Sequence, residues 1–274
     1  MPLEGPVPGV PDAQIRWIEA LPDPPDSARR GPKLWRAPGM LQFEVPGVAR
    51  YLICGGVTVD VAPFPGADPG AISLFAHQEA RAALIHQRGE LPLHACTLLA
   101  PSGTAIAICG HSAIGKSTLA AEMCRRGWLL VADGITRVRM SAVGPIAWPS
   151  DSSVKLWKDS CENLGIEPAG LQRVRQGADR FAFACASAKS PVPLPWIAKF
   201  SVSPVAGFEP VNQPAGTRRA VFAEYVYKPR FGSAATEGAQ TLAHLVQQSR
   251  AYLLRGARSR PITEIAEYLE LALQ

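Results

Sequence analysis

The stretch Gly110-His111-Ser112-Ala113-Ile114-Gly115-Lys116-Ser117 constrains the fold of this chain more than any other. It fits the pattern G-x-x-x-x-G-K-[ST], in which glycines let the backbone wrap an anion with its N–H groups pointing inward. Such a loop needs a strand to deliver it and a helix whose N-terminus adds partial positive charge. Both flanks are legible. Thr104-Ala105-Ile106-Ala107-Ile108-Cys109 is apolar and partly β-branched, which predicts a buried strand. Ser117 to Arg126 is rich in helix formers and basic at its end, and Gly127 supplies the stop. Trp128-Leu129-Leu130-Val131-Ala132 predicts a second buried strand, ending in Asp133. The expected class is α/β.

A loop of this kind holds a nucleoside triphosphate with Mg²⁺; ATP is the expected donor, and the loop itself does not separate it from GTP. Lys116 is the expected ligand of the β- and γ-phosphates and Ser117 of Mg²⁺; Thr118 either touches an α-phosphate or only starts the helix. The backbone of Gly110, His111, Ser112, Ala113, Ile114 and Gly115 lines the phosphates, with the His111 side chain outward. A carboxylate at the C-terminal end of a buried strand beside such a loop can hold the metal or take a proton from an attacking hydroxyl. Asp133 is that carboxylate; its other reading is the opening of the turn Asp133-Gly134. A lone histidine such as His94 is more often a core residue with a backbone partner. Lys155 and Arg180 are candidate clamps for phosphate or substrate, or ordinary surface cations.

The run His94-Ala95-Cys96-Thr97-Leu98-Leu99, then GHSAIGKSTLAAEMCRRGW, then LLVADGITRV, resembles the catalytic domain of HPr kinase/phosphorylase. That family places a histidine before its phosphate loop and ends the next strand in a pair of aspartates. Weaker similarity extends outward through Trp148-Pro149, Lys155-Leu156-Trp157 and Pro191 to Ile197, and back to Val45, so it covers about Val45 to Phe200. The outer segments look most like the kinases of lasso peptide precursors, which phosphorylate a C-terminal serine. The resemblance implies a phosphate-loop core with a mixed sheet (α+β), catalytic roles for His94, Lys116 and Asp133, and a peptide or small protein with an acceptor serine as substrate. It also implies a homo-oligomer, since HPr kinases form hexamers. The second family aspartate is Gly134 here, which argues against the reverse phosphorylase reaction. A regulatory HPr-type kinase and a nucleotide-binding regulator without transfer are the alternatives.

The residues also suggest an organisation: a proline-rich arm over 1–38, a small β/α unit over 39–89, a core over 90–202, and a loop with C-terminal helices over 203–274. In the second unit, Leu41–Val45, Arg50–Cys54 and Val57–Val61 predict an antiparallel unit turning at Gly55-Gly56, followed by an amphipathic helix between Gly70 and Arg88. The closing helices are expected from Glu237 to Arg255 and after Pro261. Apolar residues at 47% and charged ones at 19% suit a globular core, and the net charge of +5 fits an anionic ligand as well as an ordinary surface. No dense basic run with interleaved aromatics points to nucleic acid. No apolar run reaches the roughly 18–20 residues a membrane helix needs, and no secretion signal opens the chain, so the expected location is cytoplasmic. The six cysteines lack C-x-x-C spacing, so no zinc site is expected.

Overall fold

Residues 5–63 build one seven-stranded sheet in the computed structural model, which describes residues 4–26, 28–31, 33–227, 235–256 and 261–273. Its strands are β1 (Gly5–Val7), β2 (Val10–Trp17), β3 (Arg29–Gly31), β4 (Leu34–Ala37), β5 (Met40–Val45), β6 (Ala49–Cys54) and β7 (Thr58–Pro63), in the order β1-β2-β7-β6-β5-β4-β3. Only β2 and β7 run parallel. The meander β5-β6-β7 follows from its alternating apolar residues and from Gly55 and Gly56, both at positive φ in the turn. The stretch read as a proline-rich arm, with part of it expected to pack as an edge strand, supplies four of the seven strands, β1 and β3 at the two edges; Met1-Pro2-Leu3 lie outside the described residues. Val7, Val10, Ala13 and Ile15 are buried, so this segment belongs to the sheet's core.

A helix crosses one face of this sheet in three segments: α1 (Pro69–Phe75), a π-helical turn (Ala76–Ala80) and α2 (Arg81–Gln87). Asp68 caps its start, accepting from the N–H groups of Gly70 and Ala71, and Pro69 takes the first position, where a missing N–H costs nothing. Ile72, Ala76, Ala80, Ala83 and Leu84 pack on Phe43, Tyr51, Ile53 and Val61. The Tyr51 hydroxyl donates to the Ile72 carbonyl at 3.1 Å, fixing the helix to the sheet.

The remainder begins with β8 (Leu91–Leu93), β9 (Ala95–Leu99), β10 (Ala105–Cys109), α3 (Lys116–Arg125), β11 (Leu129–Ala132), β12 (Thr136–Ser141), β13 (Gly144–Trp148) and β14 (Ser153–Trp157). It continues with α4 (Lys158–Asn163), β15 (Gln172–Arg173), β16 (Arg180–Ala184), β17 (Val192–Pro193), β18 (Trp196–Val202), β19 (Gly207–Pro210), α5 (Ala215–Ala223), α6 (Ala235–Gln248), β20 (Arg250–Gly256) and α7 (Ile262–Leu273). The central sheet is mixed, with order β11-β9-β10-β18-β20-β19. Strands β10, β18 and β20 are parallel; β9 is antiparallel to both β10 and β11, so β11 runs the same way as β10. Smaller sheets, β17-β13-β12-β8 and β14-β16-β15, flank it. The fold is α/β.

Strand β10 is buried on both faces, which explains its unbroken apolar run. Ile106 and Ile108 meet Leu119, Ala120 and Met123 of α3 on one side, while Ala105, Ala107 and Cys109 meet the cluster of Leu242, Leu245 and Val246 of α6 on the other. The C-terminal region differs from the sequence expectation. The helix expected to reach Arg255 ends at Gln248, and Ser249 turns the chain by donating to the Leu194 carbonyl at 2.8 Å. Ala251 to Leu254 then enter the sheet between β18 and β19, because a short apolar run fits either period and an open parallel edge was there to take it. The segment read as a loop after Val202 contains β19 and α5.

Candidate active site

The topology brings three separate segments to one end of the central sheet. The loop leaves the C-terminal end of β10, and Asp133 leaves the C-terminal end of the co-directional β11. Strand β9 lies between them in the opposite sense, so His94, just before it, falls at the same end; Ala95 pairs with Cys109. Open α/β sheets place ligands in this crevice, beyond the strand ends.

The loop itself shows why its glycines stand where they do. A Cβ on Gly110 would lie 3.1 Å from the Phe200 carbonyl and from Ile114, and Gly115 has φ +108°. Ala113 occupies the left-handed region at φ +61°, a conformation that costs a residue with a Cβ roughly 1–2 kcal/mol. Lys116 opens α3 and is 7% exposed. Its ammonium donates to the carbonyls of Gly110 at 2.7 Å and His111 at 2.9 Å. Burial lowers its pKa, and the nearby Asp133 opposes that. This buried ammonium is braced by two carbonyls and makes no ion pair with another described residue.

Asp133 is 4% exposed, and each of its carboxylate oxygens accepts one hydrogen bond. The Ser117 hydroxyl donates to its Oδ1 at 2.9 Å and the Lys155 N–H to its Oδ2 at 3.1 Å. Its own N–H donates to Asp151 at 3.2 Å. Ser117 and Asp133 thus present two hard oxygen atoms side by side, the donor type Mg²⁺ takes, with the rest of its shell left to phosphate and water. No larger cluster of metal-ligating side chains exists among the described residues.

A cavity of about 620 Å³ opens over these groups. Ser112, Ala113, Gly115, Lys116, Ser117, Thr118, Asp133, His94, Lys155 and Arg180 line it; Gly110, His111 and Ile114 do not. The His111 ring is exposed against Tyr225, while its carbonyl braces Lys116. Burial, with Lys116 and His111 adding, pushes His94 down to about 4, so the imidazole is neutral. The backbone N–H of His94 donates to the Tyr225 carbonyl at 2.6 Å. The Arg180 guanidinium lies 5.5 Å over the ring of Trp157, an exposed tryptophan in the cavity wall. Burial lowers the pKa of Arg180, Asp133 opposes that, and its buried Nε has no hydrogen-bond partner among the described residues. Lys155 turns its side chain toward Asp151 at 3.7 Å.

Several functional candidates escape a reading of the sequence. Gln78 and Glu79 line the cavity from the π-helical turn of a helix whose buried face also carries Arg81 and His86. Asp151 sits behind Asp133, held by Ser150 at 2.6 Å and by the buried Arg81 at 3.7 Å; Arg81 and Lys155 keep its carboxyl below the usual range although burial works against them. Its signal was its place three residues beyond β13, as Asp133 stands one beyond β11. Glu224, Val226 and Tyr227, in the segment after α5, complete the wall, and the Tyr227 hydroxyl donates to Glu79 at 2.8 Å. Gly134, at φ +88°, adopts a turn conformation in which a side chain would be strained.

No family model matches this chain, and no curated protein matches it. Among solved structures, the chain overlays on the HPr(Ser) kinase/phosphatase from Coxiella burnetii with a TM-score of 0.38 and 12% identity, covering 66% of this chain and 89% of that one. An overlay this loose assigns no role to any residue. No helix among the described residues is long and apolar enough to cross a membrane.

Proposed function

We propose that this chain is an ATP-dependent kinase that passes the γ-phosphate to a serine hydroxyl of a peptide or small protein. The C-terminal serine of a lasso peptide precursor is the substrate suggested by the sequence resemblance. The observation that carries the reading is the pairing of Ser117 with Asp133 beside the buried Lys116, in one cavity with His94 and Arg180. Binding of a Mg-nucleotide accounts for the loop, Ser117 and a metal-side carboxylate; it does not require a neutral imidazole and an arginine in the same cavity.

In this reading the loop N–H groups and Lys116 hold the phosphates, and Ser117 with Asp133 would hold Mg²⁺. When bound, the metal supplies positive charge to the β- and γ-phosphate oxygens. The acceptor oxygen forms its bond to the γ-phosphorus as the bond to the bridging oxygen breaks, and ADP leaves with that electron pair. Asp133 takes the hydroxyl proton. Arg180 and Lys116 offset the charge on the group in flight, and neutral His94 donates or accepts a hydrogen bond without adding charge. The exposed Trp157 gives a peptide an aromatic anchor beside the site.

The test is incubation with Mg-ATP and a short peptide ending in serine, read by mass spectrometry. A phosphate-sized gain is expected, lost by at least a hundredfold in rate with Lys116→Ala and Asp133→Asn. Tight ATP binding without transfer to any hydroxyl-bearing peptide or protein would sink the kinase reading and leave a nucleotide-binding regulator.

A further inference from the structure

A second cavity, of about 390 Å³, opens on the other side of the phosphate loop. We propose that it receives the nucleoside of the bound triphosphate, a purine base with its sugar; this rests on the nucleotide reading above. Four residues, Ala113, Gly115, Thr118 and Ser160, line both cavities, so the two adjoin along the phosphate loop and the start of α3. A triphosphate whose γ end lies at Lys116, Ser117 and Asp133 leaves the loop past Thr118, on the first turn of α3, into this space. Strands β18 and β20 run parallel to β10, so their C-terminal ends at Val202 and Gly256 flank the loop at the same sheet end.

The two cavities differ in chemistry as the two halves of a nucleotide do. The first holds Lys116, Arg180, Lys155 and several carboxylates, where a base would strip water from charges without replacing it. The second is walled by Ile114, Phe200, Val202, Ile262 and Ile265, apolar surfaces that suit the two faces of a purine. Exposed Asn163 offers an amide that both donates and accepts toward a base edge. The volume lies in the roughly 300–1,000 Å³ range of small-molecule pockets. Phe200 joins the halves. A Cβ on Gly115 would sit 3.5 Å from its ring and one on Gly256 only 2.9 Å, so the ring is wedged between the phosphate loop and the end of β20. Gly256 is required there by close approach alone, since its φ is not in the left-handed region.

The experiment is calorimetric titration of the full chain with ATP, ADP and inorganic tripolyphosphate. The variants are Val202→Trp and Ile262→Trp, which fill the cavity; Val202 is 47% exposed, so its substitution leaves the core intact. At least tenfold weaker ATP and ADP binding with unchanged tripolyphosphate binding is expected. Photolabelling of the wild type with 8-azido-ATP should mark peptides containing Val202 or Ile262 to Ile265. Unchanged nucleotide affinity in both variants, equal weakening of tripolyphosphate, or labelling confined to other peptides overturns the proposal. Tripolyphosphate binding that survives Lys116→Ala would instead overturn the phosphate-loop reading, and this proposal with it.

Discussion

Asp151 shows how far the geometry of the candidate site depends on a residue that does not line its cavity. It accepts from the Asp133 N–H and neutralises Arg81, which is 2% exposed and spans from the N-terminal sheet to the Ile135 carbonyl at 3.1 Å. Removing one partner of a buried ion pair leaves the other uncompensated. Asp151→Ala should therefore cost about 3 kcal/mol in urea unfolding and weaken transfer through misplacement of Asp133. His77 and His94 give a pH dependence. Both are pushed to about 4 by burial, from an ordinary value of 6.5. Between pH 6.5 and 4 the unfolded chain binds the extra protons, so stability rises with pH across that window. These groups contribute fully above pH 6.5 and lose their contribution as pH falls toward 4. Urea midpoints at pH 7 and pH 4.5 should show the loss, and His94→Asn should shrink it. Ala113 supplies a third test. Its left-handed φ means that Ala113→Gly should keep nucleotide binding and change stability by no more than about 1 kcal/mol, strain relief opposing the greater freedom of unfolded glycine.

At the scale of elements, the parts legible in the sequence were those fixed by neighbours in the chain. The strand-loop-helix unit around Lys116 and the strand into Asp133 follow from local pattern, and β10 and α3 begin and end within a residue or so of expectation. The elements that escaped depend on partners far away. Strand β20 has apolar residues that suit a helix equally well, and only the slot between β18 and β19 selects the extended form. The first four strands hide behind prolines and turn residues: β1, β3 and β4 are only three or four residues long, and β2 is held by pairing with β7, more than 40 residues later. The π-helical turn leaves no compositional mark, which is why Gln78 and Glu79 were not visible as cavity residues. The same helix carries a clean test of local physics. Asp68 caps α1 and also accepts from the Gln176 N–H at 3.0 Å. Asp68→Ala should cost about 1–2 kcal/mol by chemical denaturation while leaving ATP affinity unchanged, because nothing in the phosphate loop touches it.

Across the whole molecule, the N-terminal sheet is a structural half of the site. Arg81 donates to the Pro8 carbonyl at 3.4 Å and Arg137 to the Gly9 carbonyl at 2.6 Å, while Arg137 also pairs with Glu90. Ile135, two residues beyond Asp133, is buried in the core of that sheet. Deleting residues 1–31 should thus give insoluble protein or lost near-ultraviolet circular dichroism, rather than a trimmed enzyme; a soluble, ATP-binding product would refute this.

The pairing of β10 with β18 has a further consequence, in time. Ile106 lies beside Trp196, 90 residues later in the chain (196 minus 106), and Trp196 lies beside Arg250. At translation rates of roughly 5–20 residues per second, the strand that carries the phosphate loop waits several seconds for its neighbour. Over that interval one edge of β10, apolar on both faces, is open to any other extended chain. The loop motif is the most local feature of the sequence, yet the strand that carries it gains its parallel neighbour only once β18 has been made, and chaperone demand during synthesis should concentrate there.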